Sequence, residues 1–252
     1  MKEKRYELIK HYILQKNHVT LKELEDEFNV SMNTIRRDVN KILEDSRFEK
    51  VYGGVSVKKN TLVNFEDRNI ENKEIKKGIA KAAADLIQPH DLIYIDSGTT
   101  TKYILDYLDD DIDISIITNS LDVIVKAEKF KNIPIFLIGH VFKKSTRSFV
   151  GVESDELTAK YNISKAFMAA TAVSMQSGLM NSDVMEYEIK KQAIEKANNV
   201  FLLADAEKFD KSTLLTYASL KDIDCMITNK HFNEEYNEFF AENNIKTIET
   251  TP

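Results

Sequence analysis

From residue 92 onward, short apolar runs alternate with stretches of helical periodicity, and this alternation limits the possible folds more than any other feature of the sequence. Helical patterns occur at 75–87, 120–130 and 185–197. Six runs are almost entirely apolar, as strands buried on both faces are: 92–95, 114–117, 135–138, 166–169, 200–203 and 225–227. The alternation predicts an α/β fold in which helices cover both sides of a mainly parallel sheet.

The first 57 residues follow a different pattern, that of three short helices and a β-hairpin. One helical face between residues 5 and 16 is apolar, and Thr20 and Glu23 have the spacing of a capping box at the start of a second helix. Ser31 can cap a third helix. Alternating apolar residues around two glycines predict a hairpin at 48–57. Together these elements predict a winged helix-turn-helix domain.

Composition and charge narrow the class of protein. Charged residues make up 30% of the chain and the hydrophobic set 42%, which excludes collagen-like and wholly disordered chains. Residues 1–60 carry 13 basic and 10 acidic side chains, whereas the remainder carries 22 and 31. The polar stretch 58–71 lacks clear periodicity, so we expect it to link a mildly basic domain at 1–57 to an acidic domain at 72–252.

The third predicted helix carries side chains that suit contact with DNA near its N-terminus. Arg36 and Arg37 can pair with guanine or phosphate, and Asn33 can bind adenine. An arginine pair alone is more often a solvated helix face, but the three-helix unit and the glycine wing argue against that interpretation here. We expect Asp38 to orient an arginine. The residues predicted to contact DNA are Ser31, Asn33, Thr34, Arg36, Arg37, Lys50, Tyr52 and Gly53.

Three polar loops follow predicted strands, and in a parallel sheet they meet at the carboxyl edge, where ligands bind. The loop 96–101 runs into a predicted helix at 102–108, so its glycine, hydroxyls and amides can hold a phosphate, although such a turn is as often ordinary helix capping. The other two loops are 118–120 and 204–209. The predicted ligand-binding residues are Asp96, Ser97, Gly98, Thr99, Thr100, Thr101, Asn119, Ser120, Arg147 and Lys208.

Individual roles follow from the chemistry of these side chains. Asp96 and Asn119 have the hydrogen-bonding capacity for sugar hydroxyls, and the Lys208 ammonium can pair with a phosphate. Arg147 is a second candidate charge, in a basic loop that is otherwise typical of solvated surface.

Five motifs carry a resemblance to a known family. TIRRD at 34–38 and KVYGG at 50–54 resemble the N-terminal signature of the DeoR family of bacterial sugar-catabolism regulators. DSGTT at 96–100, TNS at 118–120 and DAEKF at 205–209 are similar to motifs of that family's C-terminal domain, which resembles ribose-5-phosphate isomerase in fold. The resemblance implies a repressor that binds operator DNA and is released by a phosphorylated sugar.

The chain departs from the family pattern at a few positions. Ser46 or Arg47 stands where a glycine usually precedes the wing, and Tyr52 replaces a histidine. His140 replaces the second glycine of a pair, and the stretch 167–173 lacks an Asp-Gly. The first two departures concern the wing's phosphate contacts rather than the recognition helix.

The main alternative is a sugar-phosphate isomerase-like enzyme with a fused helical bundle. Aldose-ketose isomerisation needs a carboxylate base over the substrate carbon, but 169–173 holds no titratable group. Glu186 lies nearby, although a glutamate that opens a helix is more often a capping or dipole residue. We therefore expect binding without turnover, and no cofactor.

Other features predict where the protein works and how it assembles. Cys225 is the only cysteine and the 5 histidines are scattered, so no metal site is expected. No apolar run approaches the roughly 20 residues that span a bilayer, and no secretory signal opens the chain, so we expect a cytoplasmic protein. Because helix-turn-helix proteins bind two half-sites through two-fold symmetry, we expect a homodimer or homotetramer.

Overall fold

The structure is a computed structural model that describes residues 2–16, 18–45, 48–57, 65–152, 157 and 160–251. The chain divides into two compact units, Met1–Asp67 and Arg68–Pro252. Part of the predicted linker, residues 58–64, lies outside the described residues, as do Ser46 and Arg47 ahead of the wing. The boundary between the two units lies between Asp67 and Arg68, a few residues before residue 72, the predicted start of the second domain.

The described residues of the first unit up to Val57 form three helices and a small antiparallel sheet in the order β1-β3-β2. Its elements are α1 (Lys2–Lys16), β1 (His18–Thr20), α2 (Leu21–Phe28), α3 (Met32–Ile42), β2 (Phe48–Val51) and β3 (Gly54–Val57). Ile9, Ile13, Leu24, Ile35 and Val55 are fully buried and pack the helices against the sheet. The predicted three helices and hairpin are confirmed, and β1 is an additional strand.

Side-chain capping explains where α2 begins. The Thr20 hydroxyl accepts a hydrogen bond from Glu23 N at 3.1 Å, and the Glu23 carboxylate accepts one from Thr20 N at 2.7 Å, so the predicted capping box is confirmed. Ser31 occupies the N-cap position of α3, but its hydroxyl lies 3.0 Å from the Thr34 hydroxyl and makes no capping hydrogen bond. The start of α3 is therefore held differently from the prediction.

The second unit is built around a sheet of seven parallel strands. The strands of this unit, among the described residues, are β4 (Leu92–Ile95), β5 (Ser115–Thr118), β6 (Ile135–Leu137), β7 (Val141–Lys143), β8 (Ser148–Val150), β9 (Lys165–Ala169), β10 (Ala172–Ser174), β11 (Gly178–Asn181), β12 (Asn199–Leu203), β13 (Leu215–Ala218), β14 (Cys225–Thr228) and β15 (Lys246–Glu249). The large sheet has the order β15-β14-β12-β9-β4-β5-β6, with every pair parallel. The mainly parallel α/β fold and all six predicted strands are confirmed.

Helices cover both faces of this sheet. The α-helices from residue 65 onward whose bounds lie within the described residues are α4 (Phe65–Ile70), α5 (Lys73–Ala84), α6 (Leu121–Ala127), α7 (Tyr187–Lys196) and α8 (Glu234–Glu242). Ile93 and Ile95 belong to one buried apolar cluster, and Tyr94 between them belongs to another. Since successive side chains of a strand point to opposite faces, both faces of β4 are buried.

Smaller elements complete the unit. Strands β10, β11 and β13 form an antiparallel sheet, and β7 pairs with β8 in a hairpin. Throughout the part of the chain that the structure describes, no helix is long and apolar enough to cross a membrane. Within the same residues, no group of three or more His, Cys, Asp or Glu side chains could hold a metal ion.

The order of the strands marks one place on the sheet. From β4 the chain adds β5 and β6 on one side, and later β9, β12, β14 and β15 on the other side. The direction of strand addition therefore reverses between β4 and β9. In open α/β sheets, ligands bind outside the carboxyl ends of the strands at such a switch point. The loop after β4 lies at this place.

Candidate functional site

The polar face of α3 is the candidate DNA-binding surface of the first unit. Asn33, Arg36 and Arg37 are exposed, whereas Ile35 and Val39 on the opposite face are buried in the core. None of the ion pairs between described residues involves either arginine. The two guanidinium groups are thus available for contact with phosphate or base edges.

Asp38 fixes the orientation of this helix. Its carboxylate accepts a hydrogen bond from Arg5 Nε of α1 at 2.8 Å, and both side chains are partly buried. Asp38 therefore orients an arginine as expected, and the partner is Arg5. The pair ties α1 to α3 and keeps a negative charge away from the face that carries Arg36.

The wing presents an aromatic side chain at its tip. Tyr52 is fully exposed, Lys50 is exposed on β2, and Gly53 adopts a positive φ of 76°. A Cβ on Gly54 would lie 2.2 Å from Val19 O, so only glycine allows this close approach of β3 to β1. The wing residues predicted to contact DNA lie together at this turn and on β2.

The loop after β4 is built around the buried carboxylate of Asp96. Its Oδ1 accepts a hydrogen bond from Ser97 N at 2.9 Å, and its Oδ2 accepts one from Ala169 N at 3.0 Å and pairs with Lys190 Nζ of α7. Both Asp96 and Lys190 are buried. The sequence suggested Asp96 as a ligand for sugar hydroxyls, whereas here the carboxylate joins β4, β9 and α7.

The rest of this loop folds back on itself. The Thr101 hydroxyl donates to Asp96 O at 2.6 Å, and Gly98 N donates to the same hydroxyl at 3.1 Å. A Cβ on Gly98 would lie 2.3 Å from Ala169 Cβ, so glycine is required there. Most of the loop is buried, including Ser97, Thr99 and Thr100.

The predicted α-helix at 102–108 is instead a 3₁₀-helix, Thr101–Tyr107. The Tyr103 amide donates to Thr100 O, an i to i−3 hydrogen bond that fits the tighter helix. Because Thr101 binds the loop's own backbone and the segment is rich in aromatic and β-branched residues, an α-helical start is disfavoured. The helix dipole is therefore a smaller part of any anion site than the prediction assumed.

The second loop is also a structural junction. Asn119 Oδ1 accepts from the Tyr94 hydroxyl at 3.1 Å, and Asn119 Nδ2 lies within 3.3 Å of both Ser97 Oγ and Phe149 O. Ser120 Oγ caps α6 by accepting from Val123 N at 3.3 Å. Asn119 is fully buried, so its amide holds neighbouring loops in place.

Arg147 lies in the turn between β7 and β8 with a positive φ of 49°. Its Nε donates to Asp122 Oδ1 at 2.6 Å, and the same carboxylate accepts from Lys102 Nζ at 3.2 Å. Lys102 also donates to Asn69 Oδ1 of α4. Arg147 thus pairs with the first turn of α6, and the second charge predicted for a phosphate is engaged there.

The third loop contains Lys208, which forms a basic cluster with Arg68 and Lys76; Lys76 is buried and the other two side chains are partly buried. Lys208 Nζ lies 4.0 Å from Asp205 Oδ2, an atom that accepts no hydrogen bond from the described residues. Burial lowers the pKa of all three cations, and it lowers that of Lys76 to about 8. The charges of Arg68 and Lys208 lower the pKa of Lys76 further, the charge of Arg68 lowers that of Lys208, and the Asp205 carboxylate opposes the lowering in all three groups.

Sequence reasoning missed Arg68, Lys76 and Lys190. Lys76 Nζ donates to Glu71 O at 2.7 Å and to Arg68 O, so it caps the end of α4. Its spacing from Ile79 and Ala80 on the buried face of α5 was a usable signal, because a lysine at a core position needs a buried partner. Arg68 was hidden by its assignment to the linker.

Comparisons with known proteins agree with these two units. Residues 5–61 match the DeoR-like helix-turn-helix domain, and residues 71–230 match the DeoR C terminal sensor domain. The chain belongs to the DeoR family. This DeoR-family protein is 50% identical over 246 residues to the HTH-type transcriptional regulator IolR of Bacillus subtilis (strain 168), a match that covers 97% of this chain and 98% of that protein.

Two further matches illustrate the range of similar proteins. The L-fucose operon activator of Haemophilus influenzae is 26% identical over 97% of this chain and 98% of its own length. The structure of ribose 5-phosphate isomerase A from Methanocaldococcus jannaschii matches with a TM-score of 0.42 and 19% identity over 56% of each chain. The named curated relatives are regulators, so this DeoR-family protein is a DNA-binding transcriptional regulator rather than an isomerase.

Proposed function

We propose that this protein is a repressor that binds a two-fold symmetric operator through α3 and the wing, and that a phosphorylated sugar bound to the second unit releases it. One observation supports a phosphorylated ligand. Lys76 and the Asp205 carboxylate are buried, Arg68 and Lys208 are partly buried, and the charge of Asp205 raises the pKa of all three cations against the effect of burial. Buried like charges cost free energy unless an anion neutralises them, and a dianionic phosphate can pair with several cations at once.

The position of the cluster supports a sugar phosphate in particular. Asp205 and Lys208 follow β12 and the loop 96–101 follows β4, so both lie at the carboxyl edge of one parallel sheet. Asp205 Oδ2 is a buried acceptor without a hydrogen-bond donor among the described residues. A sugar hydroxyl is a suitable donor for it.

A two-step experiment tests this function. Thermal unfolding of the full chain is measured with inorganic phosphate, D-ribose 5-phosphate, D-fructose 6-phosphate, D-glucose 6-phosphate and D-glucitol 6-phosphate. Operator DNA is selected from a random duplex library with the ligand-free protein. We expect at least one sugar phosphate to raise the unfolding temperature more than inorganic phosphate and to weaken operator binding. If no sugar phosphate of the panel has both effects, the result contradicts the proposed class of effector.

Lys208→Ala is expected to weaken binding of the best sugar phosphate tenfold or more, since a charge-assisted hydrogen bond to phosphate is lost. Operator affinity without the sugar phosphate should barely change. Isothermal titration of wild type and variant measures the loss. Lys211→Ala removes an exposed lysine from the same loop and serves as the matched control. Equal affinities of wild type and Lys208→Ala would place the phosphate elsewhere.

Binding of the sugar phosphate is expected to weaken as the pH rises from 7 to 9. Burial lowers the Lys76 pKa to about 8, so Lys76 loses its charge across this range while a phosphate monoester stays dianionic. The dissociation constant is measured at each pH. Lys76→Met should flatten the dependence, and Lys77→Met, a more exposed neighbour paired with Glu74, should not. An affinity that is constant in wild type would contradict this role of Lys76.

Operator symmetry requires two copies of α3, so we propose that the protein acts in the cytoplasm as a homodimer or homotetramer. Analytical ultracentrifugation at micromolar concentration is expected to show a dimer or a larger species. The two-fold arrangement would be ruled out if the protein were a monomer and bound the full operator no more tightly than a single half-site.

A further inference from the structure

Glu186 differs from the other buried carboxylates of the described residues. Asp96 pairs with Lys190, and Asp205 has Lys208 within 4.0 Å. Glu186 is only 5% exposed, yet none of the ion pairs among the described residues includes it. The charge of Glu186 acts on the Arg68 guanidinium, but the direct partners of its carboxylate lie elsewhere.

Neutral groups hold the Glu186 carboxylate in place. Ser148 Oγ of β8 donates to Oε1 at 2.8 Å, and Asn181 Nδ2 of β11 donates to Oε2 at 3.0 Å. Asn181 is itself fixed by the Thr171 hydroxyl at 3.0 Å. The sequence suggested a capping role, but Asp183 caps this turn by accepting from Met185 N. The Glu186 side chain therefore makes no capping hydrogen bond to α7, the helix that follows it.

The charge of the Glu186 carboxylate acts on groups at both polar centres of the site. Burial and the carboxylates of Asp96 and Glu186 raise the pKa of Tyr94 and Tyr217 well above the usual value. Among the carboxylates that oppose the lowering of the Arg68 pKa by burial, Glu186 has the largest effect. Glu186 thus lies near both the loop after β4 and the basic cluster.

The remaining hydrogen-bonding capacity of Glu186 distinguishes it from its neighbours. A carboxylate has about four acceptor positions, and the two donors from Ser148 and Asn181 fill only half of them. Asp96 already has three partners, and the Asn119 amide is engaged on both of its polar atoms. Of these three residues, Glu186 has the most capacity left for donors from a ligand.

We propose that Glu186 accepts hydrogen bonds from hydroxyl groups of the sugar chain and determines which sugar phosphate the protein binds. This inference rests on the proposed function, with the phosphate held at the basic cluster. Ser148 and Asn181 position the carboxylate. A site built to bind a hydroxyl discriminates strongly against analogues that lack it, because the buried acceptor is then left without a donor.

The test compares Glu186→Gln with wild type on the same panel of D-ribose 5-phosphate, D-fructose 6-phosphate, D-glucose 6-phosphate and D-glucitol 6-phosphate, and on inorganic phosphate. Glutamine keeps the shape and removes the charge. We expect affinity for the preferred sugar phosphate to fall at least tenfold, and the differences in affinity among the sugar phosphates to become smaller. Affinity for inorganic phosphate should not fall, because the carboxylate that is removed repels an anion at the neighbouring basic cluster. Glu188→Gln, an exposed neighbour, is the matched control and should behave as wild type.

A second variant keeps the test valid if Glu186→Gln unfolds. Ser148→Ala removes one donor that orients Glu186. It should also reduce the differences in affinity among the sugar phosphates, but by a smaller factor than Glu186→Gln. The inference is overturned if the variants that fold keep the wild-type order and spread of affinities across the panel. It is also overturned if their affinities for inorganic phosphate and for the sugar phosphates fall by equal factors. Wild type that binds no sugar phosphate more tightly than inorganic phosphate would instead overturn the proposed function itself, together with this inference.

Discussion

Arg36→Ala and Arg37→Ala are each expected to abolish operator binding while the response to a sugar phosphate remains. A bidentate arginine contact to a base contributes about 1–3 kcal/mol, and a two-fold symmetric complex loses the contact in both half-sites. Both guanidinium groups are exposed on α3. Fluorescence anisotropy with the selected operator measures the loss across a series of salt concentrations.

The salt dependence separates the two kinds of arginine contact. Removal of a phosphate contact lowers the slope of log affinity against log salt by about one per contact, whereas loss of a base contact relaxes sequence preference. Lys22→Ala is a suitable control, since Lys22 is exposed on α2 and pairs with Glu25 and Asp26. Unchanged affinity and slope in both arginine variants would mean that another surface binds the operator.

Lys190→Met is expected to destabilise the second unit by about 3–5 kcal/mol, since it leaves the Asp96 carboxylate buried without its cation. The chain has no tryptophan, so urea unfolding is followed by tyrosine fluorescence. Tyr217 reports on this place, because its ring lies 5.3 Å from Lys190 Nζ.

Two further variants give this prediction its controls. Asp96→Asn combined with Lys190→Met removes both charges and should recover most of the lost free energy of unfolding. Lys191→Met changes a neighbouring lysine that is 44% exposed and should have little effect. If Lys190→Met were as stable as Lys191→Met, the pair would not hold β4 to α7.

The core of the sheet could be predicted because its strands are buried on both faces and therefore read as continuous apolar runs. Strand β15 was missed, since it lies at the edge of the sheet and Ile248 is the one apolar residue among its four. Strand β1 was missed because three residues give no periodicity. The start of α2 was predictable, as its capping box depends only on Thr20 and Glu23.

The site was predictable only where topology decides it. Parallel strands bring the loops after β4, β5 and β12 to one edge, so the loops themselves were found. The partners within them were not, because Asp96 and Lys190 are far apart in sequence and many residues could have neutralised that carboxylate. Asp96 and Asn119 therefore looked like groups free to bind a ligand, whereas the structure shows them engaged.

The position of α4 has a practical consequence for building hybrid regulators. The division between the two units falls inside this helix, beside Arg68. Arg68 belongs to the basic cluster, and Asn69 accepts a hydrogen bond from Lys102. A chimera joined after residue 71 would take these two side chains from the parent that donates the DNA-binding half. A junction upstream of Arg68 keeps Arg68 and Asn69 with the sensor domain, so that the domain is transferred with all of its own ligand-binding side chains.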